Sequence, residues 1–230
     1  MRRESRPVRL ATVAVLVLAG FPAACLPPAP GTPSATATPD STAATERQED
    51  DLPPVGYGSL HQDQFTIQLR KDALLIKVTP LAESVIRLAA PDTYQRLHRL
   101  AETLGEQARR RAGIPDATLF LVSFFSYQPD TFYEPESLQI VARGRQLSAG
   151  GLVPLTPAWG RQRLRQQETE SAVYAFPASV DLSLPFQVHY GMEESDAWRQ
   201  ILPILDRERA RAASRAGGSQ SGMSYSLILR

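Results

Sequence analysis

Residues 117–127 read ATLFLVSFFSY, apolar at almost every position. A strand with one face in water alternates apolar and polar side chains, whereas a strand covered on both faces is apolar nearly throughout. The stretch therefore predicts a central strand with a layer on each side. Upstream, Phe65, Ile67 and Leu69 alternate with Thr66, Gln68 and Arg70, the pattern of a half-buried strand. Lys71-Asp72 can turn the chain, and Ala73–Val78 (ALLIKV) reads as the hairpin partner. Downstream come short segments separated by Pro and Gly: Ser137–Ala142, Gly151–Leu155, Arg161–Gln167 and Ala172–Phe176. Leu182, Leu184, Phe186, Val188 and Tyr190 give the cleanest alternation. Because Pro185 falls inside that run, an edge strand or a bulge is expected there.

Helical spacing occurs in two places. After Pro91, the residues Tyr94, Leu97, Leu100, Ala101, Leu104 and Ala108 recur at i, i+3, i+4 and i+7. Arg109-Arg110-Arg111 suits the negative pole of a helix ending at Gly113. A second helix is expected over Glu193–Ala213, with Trp198, Ile201, Leu202 and Leu205 on its apolar face and Pro203 interrupting it. Thr79-Pro80 reads as the start of a short helix reaching Leu88. Residues 214–222 are rich in Gly and Ser and read as loose, and Leu227-Ile228-Leu229 as a last short strand or a frayed end. Some eight strands and two sizeable helices, with no strand–helix alternation, indicate a β-rich α+β fold: an antiparallel sandwich-like domain over 59–214, followed by a flexible tail over 215–230.

The first 25 residues have a different character. Arg2, Arg3, Arg6 and Arg9 precede an apolar run of 11 residues, Leu10–Gly20, and then Ala23-Ala24-Cys25. A helix that stays in a bilayer needs about 20 apolar residues, so a cleaved export signal over 1–24 is expected. The segment resembles the signals of bacterial lipoproteins, in which small residues precede a Cys that is lipidated and becomes the first residue of the mature chain. Pro22 stands where that pattern usually has Leu. The resemblance implies a lipid anchor at Cys25. Leu26, rather than Asp, follows the Cys, which implies the outer membrane where the host has two. Ordinary cleavage with release of a soluble protein is the other reading. Residues 25–58 are Pro, Ser, Thr and Ala with few large apolar groups, a composition that reads as a disordered spacer.

The net charge is +1 over 230 residues. Residues 1–24 hold four arginines against Glu4, or +3, so the remainder is at −2. This balance gives no reason to expect nucleic-acid binding. With Cys25 the only cysteine, neither an internal disulfide nor a Cys-rich metal site can form. The sequence has no H-E-x-x-H, no phosphate-binding glycine loop and no G-x-S-x-G. Accordingly no metal, cofactor or catalytic set is expected. His61, His98 and His189 are scattered, and the acids Glu134, Glu136, Glu193, Glu194 and Asp196 read as solvated.

Two patterns remain. Arg161, Arg163 and Arg165 alternate, and Arg143 and Arg145 repeat the spacing if a strand continues past Gly144. On strands, each set would share a face and could grip an anionic glycan, a lipid head group or an acidic envelope protein. Tyr127, Phe132, Tyr133 and Trp159 form the second pattern, an aromatic group suited to sugar rings or a partner, or else to core packing. The expectation is an exported protein, tethered to a membrane by lipid, with a non-enzymatic binding or assembly role. The alternatives are an envelope hydrolase with residues converging from distant loops, and a pilot or chaperone lipoprotein of a secretion system.

Overall fold

β3 (Thr118–Ser126) lies at the centre of a five-stranded sheet ordered β1-β2-β3-β9-β7. Its neighbours are β2 (Leu74–Pro80), which follows β1 (Ile67–Lys71), and β9 (Thr169–Phe176), which also pairs with β7 (Gly151–Pro154). The structure, a computed structural model, describes residues 52–224. The export signal, Cys25, the first part of the spacer and Leu227–Leu229 lie outside the described residues.

A second sheet is ordered β11-β10-β5-β6. It comprises β5 (Leu138–Ala142), β6 (Arg145–Ser148), β10 (Phe186–Tyr190) and β11 (Glu193–Ser195). The two-residue strands β4 (Thr131–Phe132) and β8 (Arg163–Leu164) make a small third sheet. All strand pairs are antiparallel, so the β-rich α+β class and sandwich-like arrangement stand.

Strand register explains why β3 is apolar on both sides. Phe120, Val122 and Phe124 share a face with Tyr174, Ala172 and Glu170 of β9 and with Pro80, Val78 and Ile76 of β2. That face meets the second sheet: Phe120 packs edge-on to Phe186 at 6.1 Å, and Phe124 lies 5.9 Å from Tyr190. On the opposite face Leu119 and Leu121 sit beside Ala175 and Val173. There the helix α2 (Pro91–Ala112) covers β7 and β9. Two glycines allow this approach. A Cβ on Gly105 would stand 2.5 Å from Leu119 Cδ1, and one on Gly151 would stand 2.7 Å from the Ala112 nitrogen. Gly113, in the left-handed region at φ 66°, ends α2 as expected.

Several local expectations are corrected. Thr79 and Pro80 finish β2 and do not begin a helix, because the Thr79 hydroxyl lies 2.7 Å from that of Thr66 across the hairpin. The short helix is α1 (Glu83–Ile86). Pro185 stands just before β10, leaving its ladder intact. β10 is therefore an interior strand between β11 and β5, and Leu182 and Leu184 are not part of it. Glu193 and Glu194 belong to β11. The final helix, α3, runs Trp198–Ser224, taking in Pro203 and the Gly/Ser-rich stretch expected to be loose. Ordered packing begins ahead of residue 59: Pro53 and Gly58 are buried. A Cβ on Gly58 would stand 2.3 Å from the Leu88 backbone, where Leu60 donates its N–H to Leu88 O at 3.0 Å.

The open edge of β7 is guarded. Pro154 has no N–H to offer, and Arg111 Nη1 donates to Leu152 O at 2.9 Å. Among the described residues no helix is long and apolar enough to cross a membrane.

Along α3 the residues Trp198, Ile201, Leu205 and Ala212 are buried, and Glu208 is buried in the same stripe. Its Oε1 accepts from Ser59 N (2.9 Å), Ser59 Oγ (2.8 Å) and Arg215 Nη2 (2.5 Å). Burial, the largest influence, pushes this carboxyl's pKa up, but the Ser59 hydrogen bonds and the Arg215 charge outweigh it and hold the group below its ordinary range. An acid with a lowered folded pKa stabilises the fold above its unfolded pKa and loses that contribution as pH falls through the folded one. Glu208→Gln should therefore lower stability at pH 7 and flatten the loss of stability below the ordinary value of 4.5, as read by urea unfolding across pH. Gly151→Ala should cost about 1–3 kcal/mol by forcing α2 off β7, measured the same way.

Candidate functional site

The five arginines do not form one face. β5 stops at Ala142 and β6 starts at Arg145, so Arg143 and Gly144 are the turn between them, at φ 51° and 72°. No strand passes through Gly144 to align Arg143 with Arg145, and Arg145 is exposed on the hairpin's return strand. Arg161 ends a 3-10 turn (Trp159–Arg161), Gln162 reverses the chain at φ 54°, and only Arg163 of this set lies in a strand. Each side chain then takes its own surroundings. Arg161 Nη2 is 2.8 Å from Glu168 Oε1 and 3.7 Å from the buried Glu170. Arg163 lies 3.4 Å from Asp130 and over the Phe132 ring at 4.7 Å. Arg165 donates its backbone N–H to Glu168 Oε2 at 2.7 Å. That bond first, and the Arg161 charge after it, hold the Glu168 carboxyl below its ordinary range.

The aromatic group divides between core and surface. Tyr133 and Trp159 are buried, with rings 5.6 Å apart; Phe124 stacks on Tyr133 at 4.8 Å. Tyr133 donates its hydroxyl to Trp159 O at 2.9 Å. Burial and then the negative charge of Glu170 push that phenol's pKa up. Glu170 is itself on the inner face, held by the Thr156 hydroxyl. Tyr127 and Phe132 are exposed, the latter by 67%, and each carries an arginine on its ring, Arg70 at 5.1 Å and Arg163. Half the aromatic set is thus core.

The histidines face carboxylates, an amide or solvent. His98 Nδ1 lies 2.6 Å from Glu83 Oε1 and its Nε2 lies 3.3 Å from Glu102 Oε1. Both ring nitrogens face carboxylates, which leaves neither for a nucleophile. His189 Nε2 has Gln187 at 3.4 Å and Glu194 at 3.7 Å. His61 is exposed at the start of the first 3-10 turn. Among the described residues no group of three or more His, Cys, Asp or Glu is placed to hold a metal ion.

A concavity among the described residues brings together charged groups from separate elements. A cleft of about 490 Å³ opens where five parts of the chain meet. These are the corner after β2 (Leu81, Ala82), the last turns of α2 (Arg109), the start of β3, the Arg143 turn, and the 178–183 loop between β9 and β10. Arg143 Nη2 pairs with Asp181 Oδ2 at 3.0 Å. The other oxygen of Asp181 accepts from Ser183 N (2.9 Å) and Ser183 Oγ (2.6 Å). The Ser183 bonds, followed by Arg143, outweigh partial burial and keep the Asp181 carboxyl below its ordinary range. The loop is fixed from both sides: Thr118 Oγ1 donates to Val180 O at 3.2 Å, and Trp198 Nε1 donates to Leu182 O at 3.2 Å. Arg109 is half-buried on the cleft wall. Among the described residues no carboxylate lies within 4 Å of it. Sequence spacing could suggest Arg143 as an anion ligand but not Arg109, which reads as a helix-end charge.

No family model, curated protein or solved structure matches this chain.

The division of the aromatic set is measurable. Tyr133→Phe, which strands the Trp159 carbonyl in the core, should cost about 1–2 kcal/mol in urea unfolding, whereas Phe132→Ala should stay within about 0.5 kcal/mol.

Proposed function

We propose that the chain is an exported protein, anchored to a membrane by lipid at Cys25, whose domain is a non-enzymatic binding module of the cell envelope. The observation that carries the reading is the order of its first 52 residues: four arginines, an apolar run of 11 residues, Ala23-Ala24-Cys25, and then a Pro-, Ser-, Thr- and Ala-rich stretch. Such a run is long enough to be threaded across a bilayer and too short to remain as a span. The stretch behind it lacks the apolar surface to fold, so it suits a spacer between anchor and domain. The domain has a closed core of its own, which a module held away from the bilayer requires. The Arg109–Arg143 cleft supplies the binding surface, because it is concave, lined by both charged and apolar groups, and sized for a small ligand.

Membrane fractionation of the full chain and of Cys25→Ser tests the anchor. The native chain should sediment with membranes, resist high salt and be released by detergent, since acyl burial is insensitive to ionic strength. Cys25→Ser should leave the membrane fraction. Equal partitioning of the two chains refutes the anchor, and an unprocessed native chain in the cytosol refutes export as well.

A further inference from the structure

We infer that the cleft between the end of α2 and the 178–183 loop binds a small oxyanion, a carboxylate or phosphate group of a small molecule, between Arg109 and Arg143. The inference rests on reading the domain as a binding module and is independent of the anchor. Four observations converge on it.

The first is charge. Two guanidinium groups from different elements line one concavity, against a single acid, Asp181. That acid is already well supplied with donors: Oδ1 holds two from Ser183 and Oδ2 holds Arg143. The cleft therefore has positive charge in excess and little acceptor capacity for a cation. The second is donor geometry. A guanidinium has five N–H donors in a rigid fork. One nitrogen of Arg143 is committed to Asp181, which leaves its remaining donors for a ligand oxygen.

Thirdly, the backbone at Arg143 is costly. Its φ of 51° is left-handed, a conformation that Gly and Asn adopt more readily than a long side chain does. Asp72 and Asp130, also left-handed, are residues that tolerate it, and Gln162 and Gln167 are long side chains held in the same region. Arginine at the first position of a two-residue hairpin turn brings no backbone advantage, and a use for the guanidinium would offset that cost. Lastly, the dimensions fit a small ligand. A volume near 490 Å³ falls in the lower part of the range for small-molecule pockets, with apolar wall from Leu81, Leu119 and Val180 beside the charged groups.

The test is calorimetric titration of the full chain, in detergent, with inorganic phosphate and with succinate, in a buffer free of other oxyanions; choline chloride at matched ionic strength is the control. The expected result is saturable one-site binding of at least one of the two anions and none with the control. Arg143→Asn, which suits the left-handed turn, should unfold no earlier than the native chain yet bind at least about tenfold more weakly. Arg109→Gln should weaken binding similarly, and it tests the site independently of the turn. Arg145→Gln, on the same hairpin but outside the cleft lining, should bind as the native chain does. Absence of saturable binding by either anion, or undiminished affinity in both cleft variants, overturns the inference. Repeating the titration with soluble Cys25→Ser separates the two readings. A chain that binds the anion but does not sediment with membranes refutes only the anchor, and one that sediments but binds neither anion refutes only the cleft.

Discussion

The strand Thr118–Ser126 is buried on its inner face from Phe120 to Ser126 and on its outer face at Leu119 and Leu121, and the rest of the domain follows from that constraint. Once the second sheet covers Phe120, Val122 and Phe124, the side bearing Leu119 and Leu121 still needs a layer, which α2 provides. Burying one aliphatic or aromatic side chain is worth about 1.5–3 kcal/mol, so leaving either side open would forfeit a sum comparable to the net stability of a domain. Close approach of α2 is what makes the layer effective. It is limited by backbone, at Gly151 against Ala112, and by side chain, at Gly105 against Leu119. The same approach places the last turns of α2, with Arg109, beside the start of β3 and the loop that leaves β9.

Three carboxylates lie at joints between elements, Glu208 and Glu170 buried and Asp181 partly exposed. Glu208 joins α3 to Ser59, Glu170 joins β9 to Thr156 and the Arg161 turn, and Asp181 joins the 178–183 loop to the β5–β6 hairpin. An ionised carboxylate is costly to bury unless donors surround it. At Glu208 and Asp181 the donors prevail, and both groups are held more acidic than usual. The two sites differ in what remains over. Around Glu208 the arginines close on the acid itself, whereas at Asp181 the partner arginine also faces an open cleft shared with a second arginine.

Most of the layer architecture was legible in the sequence because burial leaves a period. Seven of the eight expected strands correspond to β1, β2, β3, β5, β7, β9 and β10, the eighth, Arg161–Gln167, is reduced to the two residues of β8, and the cap at Gly113 stands where its residue type predicts. Three strands were not legible. β4 has two residues, β11 is charged, and β6 (Arg-Gln-Leu-Ser) buries only Leu147, so none carries a run long enough to show alternation. The helix limits of α3 failed for a related reason, since Gly and Ser argue against a helix locally and residues 213–218 are mostly exposed, so they carry no burial period. Glu208 and Glu170 could have been found by parity. Counting from Trp198 in helical steps, or from Phe176 in twos, places each in a buried stripe. The spacing Arg161–Arg163–Arg165 misled because alternation implies a shared face only where the backbone is a strand, and Gln162 and Gln167 are left-handed.

The cleft was invisible to periodicity for a deeper reason. Its two arginines are 34 positions apart, one at a helix end and one in a hairpin turn, and neither location has a period to read. Each alone has an ordinary explanation: a cation suits the C-terminal end of a helix, and an arginine beside Asp181 makes a surface ion pair worth at most about 1 kcal/mol. The two explanations together do not account for the arrangement. An exposed ion pair offsets at most the lower end of the cost of a left-handed arginine, itself about 1–2 kcal/mol, so the pair by itself gives the fold no net return for the strain at Arg143. A turn selected for stability alone would place Gly or Asn there. A further use for the guanidinium would shift that balance, and Arg143 lines the same cleft as Arg109.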